Sequence, residues 1–425
     1  MNWFGGKNTS SGDTSGRRFF DYASVTPVSP RVARAMEESR GAFFNPAALY
    51  AEGKRVSTLM SDAKARIARR CNCRQADIIV TSGGTESVNL ALRGTVEAAR
   101  KDIPRPHIVI SSFEHSSVLE TVSWLEGQGV LVTQVQPDEQ GIVHAEDIAA
   151  ALTQDTVLVS IMLVNNEIGT IAPMRDISKV IKKARRTYGR NEHWSYPYLH
   201  TDASQAPLYL DCHMTELGVD MMTLDGIKMY GPRGAGLLIA KKELSLAPIM
   251  FGGSQQRGVR PGTENLELIV GLAEALDEAA ELREKEVARL GELQKYFIER
   301  MLALNATQNG QNGPREIISL NGVYKKWEHI VNNVNFCLPH FNGEFFALQL
   351  DAKGFAVSTA STCRNLEDAA GSYVIEQLGD RGQRCKESSI RVTFGRETTR
   401  EDVEALADAI ESLIGRGHTG SMKTI

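Results

Sequence analysis

Between about Pro30 and Ala275, short apolar runs alternate with stretches whose hydrophobic positions recur every three to four residues. The runs Ile78–Thr81, His107–Ser111, Val130–Val135, Thr156–Val164, Tyr198–Asp202, Met221–Leu224 and Gly236–Ala240 read as strands. Arg55–Arg70, Thr85–Arg100, Ser116–Gly127, Arg175–Tyr188 and the stretch from Glu264 onward read as amphipathic helices. Alternation of this kind builds an α/β sheet with helices on both faces, and in such sheets ligands bind at the carboxyl ends of the strands.

A long helix from Asn265 to about Asn305 is followed by the polar, glycine-rich Thr307–Gly313, expected as a flexible loop. Strands near Val331–Leu338, Phe355–Ser358 and Ser389–Phe394, interleaved with helices, then predict a second, smaller α+β domain. The expected division is a disordered leader (1–18), an arm joining the small domain (19–29), a large α/β domain (30–275), the small domain (276–415) and a tail (416–425). No internal repeat is visible.

The bulk numbers narrow the function. A chain of 425 residues with a formal net charge of -4 suits a soluble globular protein and gives no basic surface for nucleic acid. No apolar run approaches the roughly 20 residues needed to span a bilayer, and residues 1–16 lack the apolar core of a signal peptide. A cytoplasmic location is the expectation. Of the six cysteines only Cys71 and Cys73 are close, at a spacing unlike a zinc site, so no metal centre and no disulfide framework is expected. Five read as ordinary thiols; Cys363 stands apart for its setting.

The chemistry centres on Lys228, in TLDGIKMYGPRGAGLLI, where a hydrophobic run ends in a lysine and Tyr-Gly-Pro turns the chain into a second apolar strand. A lysine at the mouth of two buried strands is shielded from water, which favours its neutral, nucleophilic form and allows a Schiff base with a carbonyl. A surface lysine beside a turn would share this local pattern. Other polar motifs fall at strand ends. TSGGTES (Thr81–Ser87) is either a plain glycine turn capped by Thr85 or an anion site at a helix start. SSFEHSSV places His115 between a strand and a helix, where capping or packing is as natural as catalysis. LVNNEIGT carries Asn166, and HTDASQAP carries Asp202 and Gln205, a buried carboxylate that needs a cationic or hydrogen-bonding partner.

The succession FFDYASVTPVSPRV, NPAALYAEGKRV, IIVTSGGTESVNLALRG, ISSFEHSSV, LVNNEIGTIAP, HTDASQAP, IKMYGPRGAGLL, GGSQQRGVRPGTEN, AVSTASTC and SSIRVTFGR resembles the class V aminotransferases, and within them the cysteine desulfurases of the nitrogen-fixation and iron–sulfur-cluster branch. The ten stretches run in the family's order from about Phe19 to Ala409. The resemblance implies a fold type I enzyme dependent on pyridoxal phosphate, working as a homodimer on L-cysteine and passing sulfur to an acceptor protein of iron–sulfur assembly or tRNA thiolation. It implies that Lys228 holds the cofactor as a Schiff base, Asp202 pairs with its ring nitrogen, and His115 stacks on the ring and moves protons. Asn166 and Gln205 would contact ring substituents and substrate, Gly84 and Thr85 the phosphate, and Thr263 the partner subunit's phosphate. Arg391 would grip the substrate carboxylate. Cys363, in the small, polar STASTCRNLEDAAGS, would take sulfur as a persulfide, leaving alanine. Relatives acting on selenocysteine or cysteine sulfinate, and a non-catalytic sulfur-transfer scaffold, are the competing readings.

One place departs from the family, which usually reads Ser-x-His-Lys; here stand Asp225, Gly226, Ile227 and Lys228. A carboxylate about 5 Å from a phosphate charge opposes it by roughly 3 kcal/mol at an effective dielectric near 20, more than the roughly 2 kcal/mol a helix start returns. Asp225 is therefore expected to turn toward a cation or backbone N–H groups, leaving the N–H groups of Gly226 and Ile227 to face the anion.

Overall fold

The computed structural model describes residues 16–188, 196–305, 309–310, 313–314, 316–359 and 371–417. In chain order it contains β1 (Arg18–Phe19), α1 (Pro30–Ser39), α2 (Ala51–Cys71), β2 (Ile78–Thr81), α3 (Gly84–Ala99), β3 (His107–Ser111), α4 (Ser116–Gly127), β4 (Leu131–Val135), α5 (Ala145–Ala151), β5 (Thr156–Ser160), α6 (Met174–Tyr188), β6 (Tyr198–Asp202), α7 (Met214–Leu217), β7 (Met221–Asp225) and β8 (Gly236–Ala240). There follow α8 (Leu266–Ala303), β9 (Asn309–Gly310), β10 (Gly313–Pro314), β11 (Ser319–Leu320), β12 (Asn333–Cys337), α9 (Gly343–Ala352), β13 (Phe355–Ala356), β14 (Ser358–Thr359), α10 (Tyr373–Glu376), α11 (Gly379–Cys385), β15 (Ser389–Thr393) and α12 (Arg400–Gly417).

The strands β2 to β8 form one sheet in the order β2-β8-β7-β6-β5-β3-β4. Only β8 runs against its neighbours; the other pairings are parallel. Apart from the half-exposed edge strand β4, its strands are largely apolar on both faces because both are covered. Ile108 and Ile110 of β3 pack on one side with α3 and α4, while Val109 joins the opposite core with α2 and the start of α8. The β8–β7 hairpin repeats the alternation, with Leu238 on the first side and Leu237 and Ile239 on the second.

A second sheet, β11-β12-β15-β14, is antiparallel and has its own core of Phe336, Val392, Phe394 and Ile390. Helix α8 belongs to both cores. Its 38 residues span about 57 Å. Ile269 and Leu272 near its start pack under the large sheet, and Leu290, Phe297 and Met301 near its end pack under the small one. The arm at residues 18–29 closes the pair: β1 lies parallel to β13, Phe20 enters the second core, and Tyr22 enters the first.

Several sequence expectations change. The strand expected to Val164 loses its pairing with β3 after Ser160, although Ile161 and Leu163 N–H still donate to His200 and Asp202 of β6. α1 was hidden in a proline-bearing stretch; Ser29 caps it by accepting from Val32 N–H, and Pro30 opens its first turn. Within Thr307–Gly313, β9 and β10 pair as a short antiparallel ladder, while Thr307, Gln308, Gln311 and Asn312 lie outside the described residues. Most of the expected leader (residues 1–15) and of the tail (418–425) is likewise outside them, and α12 carries order to Gly417.

The cysteine reading also needs correction. Cys337 and Cys385 form a disulfide, their Cα atoms 5.5 Å apart across a separation of 48 residues. The β12–β15 register sets Cys337 opposite Ser389, four residues beyond Cys385, so the strand pairing brings together two thiols that no local pattern links.

Candidate active site

The carboxyl ends of β2, β3, β5, β6 and β7 point the same way, and the expected motifs are carried there. One cavity is lined by Gly84, Thr85, His115, Asn166, Asp202, Gln205, Lys228 and Arg391, all expected from the sequence, together with Ala23, Ser24, Ser204 and Asp225. Two expected residues are not in it. Thr263 is exposed, outside this cavity, and Cys363 lies outside the described residues.

Lys228 ends a single 3-10 turn after β7, and its Nζ donates to the carbonyls of Ala23 (2.9 Å) and Ser24 (2.6 Å) in the arm. Gln205 Nε2 donates to the same Ala23 carbonyl at 2.8 Å. Asp202 closes β6, and its Oδ1 accepts from both Ser204 N–H (2.9 Å) and Ser204 Oγ (2.6 Å), which fixes the carboxylate's orientation. His115 is the N-cap of α4. Its Nδ1 accepts Ser117 N–H at 3.1 Å, so the neutral ring carries its proton on Nε2. Burial holds His115 below the ordinary histidine value, against the attraction of Asp202.

Arg391 of β15 is 7% exposed and fully engaged on one side. Its Nη1 donates to Asn166 O (2.9 Å), and Nη2 donates to Asp21 Oδ1 (2.7 Å), Ser24 Oγ (2.8 Å) and Ser358 Oγ (3.1 Å). Its Nε and the Asn166 Oδ1 are buried with no partner, the condition of atoms that await a polar ligand.

Glu114, beside His115, was missed. It is fully buried, and one carboxyl oxygen accepts from Ser111 Oγ and from Met162 N–H at 3.0 Å. Burial pushes it up to about 8, so at neutral pH it is largely the neutral acid. Ser204 and Asp21 were also missed, although both stand inside motifs that the sequence had singled out. A polar residue two positions from a candidate carboxylate was the available signal for Ser204.

Asp225 turns toward backbone N–H groups as expected, but the N–H groups of Gly226 and Ile227 are not left to face an anion. Its Oδ1 accepts Ile227 N–H (3.2 Å), and its Oδ2 accepts Gly84 N–H (2.9 Å) at the start of α3. Gly226 N–H is committed to Ala235 O, so neither N–H that was to face an anion is open. The missing side chain of Gly226 makes room for protein instead of ligand: a Cβ there would stand 2.6 Å from Pro232 O.

Residues 18–406 match the family model for aminotransferase class-V. The chain therefore belongs to the class-V aminotransferases, a family dependent on pyridoxal phosphate. Its relatives place it among the cysteine desulfurases of that family. It is 35% identical over 402 residues to cysteine desulfurase IscS of Dictyoglomus turgidum, covering 94% of this chain and 95% of the relative. To cysteine desulfurase IscS of Azotobacter vinelandii it is 34% identical over 405 residues, covering 94% and 93%. A solved NifS-like protein superposes with a TM-score of 0.82 at 27% identity, over 94% of this chain and 100% of the other. SspA in complex with cysteine superposes with a TM-score of 0.70 at 26% identity, over 89% and 98%.

The residues present fit the ring and aldehyde of that cofactor. An amine, an oriented carboxylate, a neutral imidazole and an orphaned amide oxygen line one cavity. The phosphate end differs, because the helix start already holds the Asp225 carboxylate.

Proposed function

We propose that the chain is a pyridoxal-phosphate-dependent cysteine desulfurase that converts L-cysteine to L-alanine and takes the sulfur onto Cys363. The observation that carries this reading is the gathering of Lys228, Asp202, His115 and Arg391 around one cavity from widely separated strand ends. Bound at Lys228, the cofactor would supply an electron sink for the carbanion left when the substrate loses its α-proton. Asp202 would keep the ring nitrogen protonated. His115, neutral and with its proton on Nε2, would lie against the ring and exchange protons with the substrate. Asn166 and Gln205 would contact ring substituents and substrate, and Gly84 and Thr85 would receive the phosphate. Arg391 would bind the substrate carboxylate through the guanidinium edge that Asp21 and the two serines leave free.

In the transfer the substrate's carbon–sulfur bond breaks and a sulfur–sulfur bond to Cys363 forms, so that cysteine and a thiol become alanine and a persulfide. The other free thiols are poorly suited to this. Burial pushes Cys73 and Cys212 up to about 12 and holds Cys71 well above the ordinary thiol value, leaving each protonated where a thiolate is needed. The persulfide would then pass to an acceptor protein serving iron–sulfur assembly or tRNA thiolation, in the cytoplasm.

The same reading includes a homodimer in which Thr263 enters the partner subunit's phosphate site. The exposure of Thr263 and of three large apolar residues, Phe43 (81%), Leu49 (87%) and Phe251 (87%), supports a covered face. It also includes the division into a cofactor-binding part (30–275) and a smaller part (276–415), with α8 common to both cores. Among the described residues no helix is long and apolar enough to cross a membrane, and no group of three or more His, Cys, Asp or Glu could hold a metal.

The test is mass spectrometry of Cys363 after incubation with L-cysteine. One added sulfur at Cys363, absent from Cys363→Ser, is expected. Sulfur found on another cysteine would overturn the assignment.

A further inference from the structure

The start of α3 is where a phosphate group would find free backbone N–H donors and the positive end of a helix. In this chain that position is filled from within. Asp225 Oδ2 accepts Gly84 N–H at 2.9 Å, and a Cβ built on Gly84 would stand 3.1 Å from the same oxygen. The carboxylate is thus pressed against the first turn of the helix, where a side chain at Gly84 would crowd it. Where the family carries a serine hydroxyl, this chain has an acid, and where it carries a histidine, this chain has Ile227, which donates only its backbone N–H, and to Asp225 itself.

The charged groups that face Asp225 oppose one another: Lys228 favours its charged form and Asp202 disfavours it. On its own element Lys228 is three residues away, with its Nζ held by the Ala23 and Ser24 carbonyls. The neighbouring strand β6 contributes Asp202, a like charge, and the start of α4 contributes His115, held toward its neutral form by burial. On α3, Glu86 is paired with Arg260 at 2.8 Å and also accepts Ser82 N–H, so that cation is already engaged. The strand β8 sets Gly236, which does not titrate, opposite Asp225. A phosphate dianion entering here meets two carboxylates and one lysine.

We propose that Asp225 is an intramolecular anion standing in the cofactor's phosphate position, and that the cofactor loads together with one proton taken up by this carboxyl group. Protonation removes the repulsion and converts one carboxyl oxygen from acceptor to donor. The neutral acid can then donate to a phosphate oxygen, the part played by a serine hydroxyl in the family's pattern. Burial already raises Asp225 above the ordinary carboxylate value, against the two backbone N–H groups that favour its charged form, and an adjacent phosphate acts in the same direction as burial. The inference deepens the proposed cofactor site and rests on it, but concerns binding alone, so it can fail or stand whatever the protein does with cysteine.

The experiment is a titration of the cofactor-free full chain with pyridoxamine 5′-phosphate and, in parallel, with pyridoxamine, from pH 6.5 to pH 9. Neither probe has an aldehyde, so Schiff-base chemistry at Lys228 does not enter. The phosphate is predominantly dianionic through this range. Affinity of the wild type for the phosphorylated probe should fall as pH rises, approaching tenfold per unit, with net proton uptake seen as buffer-dependent binding heat. Asp225→Asn, a permanently neutral near-isostere, should bind the phosphorylated probe at least tenfold more tightly than wild type at pH 8.5 and lose most of the pH dependence. Asp225→Ser is the second variant, with the same expectation. The proposal is overturned if both variants bind within twofold of the wild type at pH 8.5. It is equally overturned if pyridoxamine shows the same pH dependence as its phosphate, or if neither variant binds the phosphorylated probe. A protein that passes this test but leaves cysteine untouched would refute the desulfurase reading and leave this one standing.

Discussion

Arg391 and Asp21, 370 residues apart in the chain, are joined by a 2.7 Å ion pair that is nearly closed to solvent. The pair decides which edge of the guanidinium can meet a substrate. Asp21, Ser24 and Ser358 share one terminal nitrogen and the Asn166 carbonyl takes the other, while Nε is left without a partner.

Arg391→Lys is therefore expected to be a poor substitute. One ammonium cannot hold the Asp21 side and present a planar edge to a carboxylate. The expected outcome in steady-state kinetics is a KM for L-cysteine raised at least tenfold, with kcat changed far less. Equal falls in kcat and kcat/KM would move Arg391 out of substrate binding. Asp21→Ala should cost about 3 kcal/mol of stability by chemical denaturation, because it leaves a buried guanidinium unpaired.

The Lys228 assignment is checked by colour and by reduction. The loaded protein is expected to be yellow, and borohydride should fix the cofactor to Lys228 in a peptide map. Lys64 is the instructive control: burial lowers it, but its Nζ donates to Gln256 outside the cavity, and it should remain unlabelled. An adduct on Lys64 would mean that desolvation alone, without the strand-end site, selects the lysine.

Glu114 gives a pH dependence with a definite sign. Its value is raised on folding, from 4.5 to about 8, so the native chain keeps a proton that the unfolded chain releases. The stabilising contribution is fully present below about pH 4.5 and is lost as pH rises to about 8, with a slope of up to about 1.4 kcal/mol per unit. Glu114→Gln should remove that slope. It should also start from a lower stability, since an amide nitrogen placed at the unpartnered Oε2 costs about 1–3 kcal/mol. Denaturation curves at pH 5, 6.5 and 8 give the comparison, and a constant difference between the two proteins would mean that Glu114 is ionised throughout.

The assembly is tested by light scattering on the loaded protein, where a dimer is expected. Thr263→Ala should weaken cofactor binding by about tenfold, the value of one hydrogen bond to a charged group, without dissociating the dimer. A monomer that turns cysteine over would refute the shared site.

The candidate residues on the large sheet were legible because they lie where an apolar run stops, and the α/β rule assigns that place to ligands. Strand ends singled out Gly84, His115, Asp202 and Lys228 but left a glycine turn, a capping histidine and a surface lysine open, and the resemblance chose between these readings. What stayed hidden depends on pairing across the chain. Nothing near Asp21 announces a partner at Arg391, and nothing near Cys337 announces Cys385, because both contacts are set by strand register and not by local spacing. Asp225 was a subtler miss. Sequence reasoning saw that a carboxylate would seek N–H groups, but could not see that the nearest one on offer belonged to the helix start.

The arm has a consequence for the order in which the molecule is made. Residues 18–24 are synthesised early, yet β1 pairs with β13, Phe20 exchanges hydrogen bonds with Thr393 and Ala356, and Asp21 waits for Arg391. On the ribosome the large sheet can close around β2 to β8 long before any of these partners exists, since domains fold as units while synthesis proceeds. The Ala23 and Ser24 carbonyls that hold Lys228 therefore reach their final place only when the last strand emerges. A nascent chain interrupted before about residue 393 would possess the lysine, the aspartate and the histidine of the site, but not the arm that holds them in register.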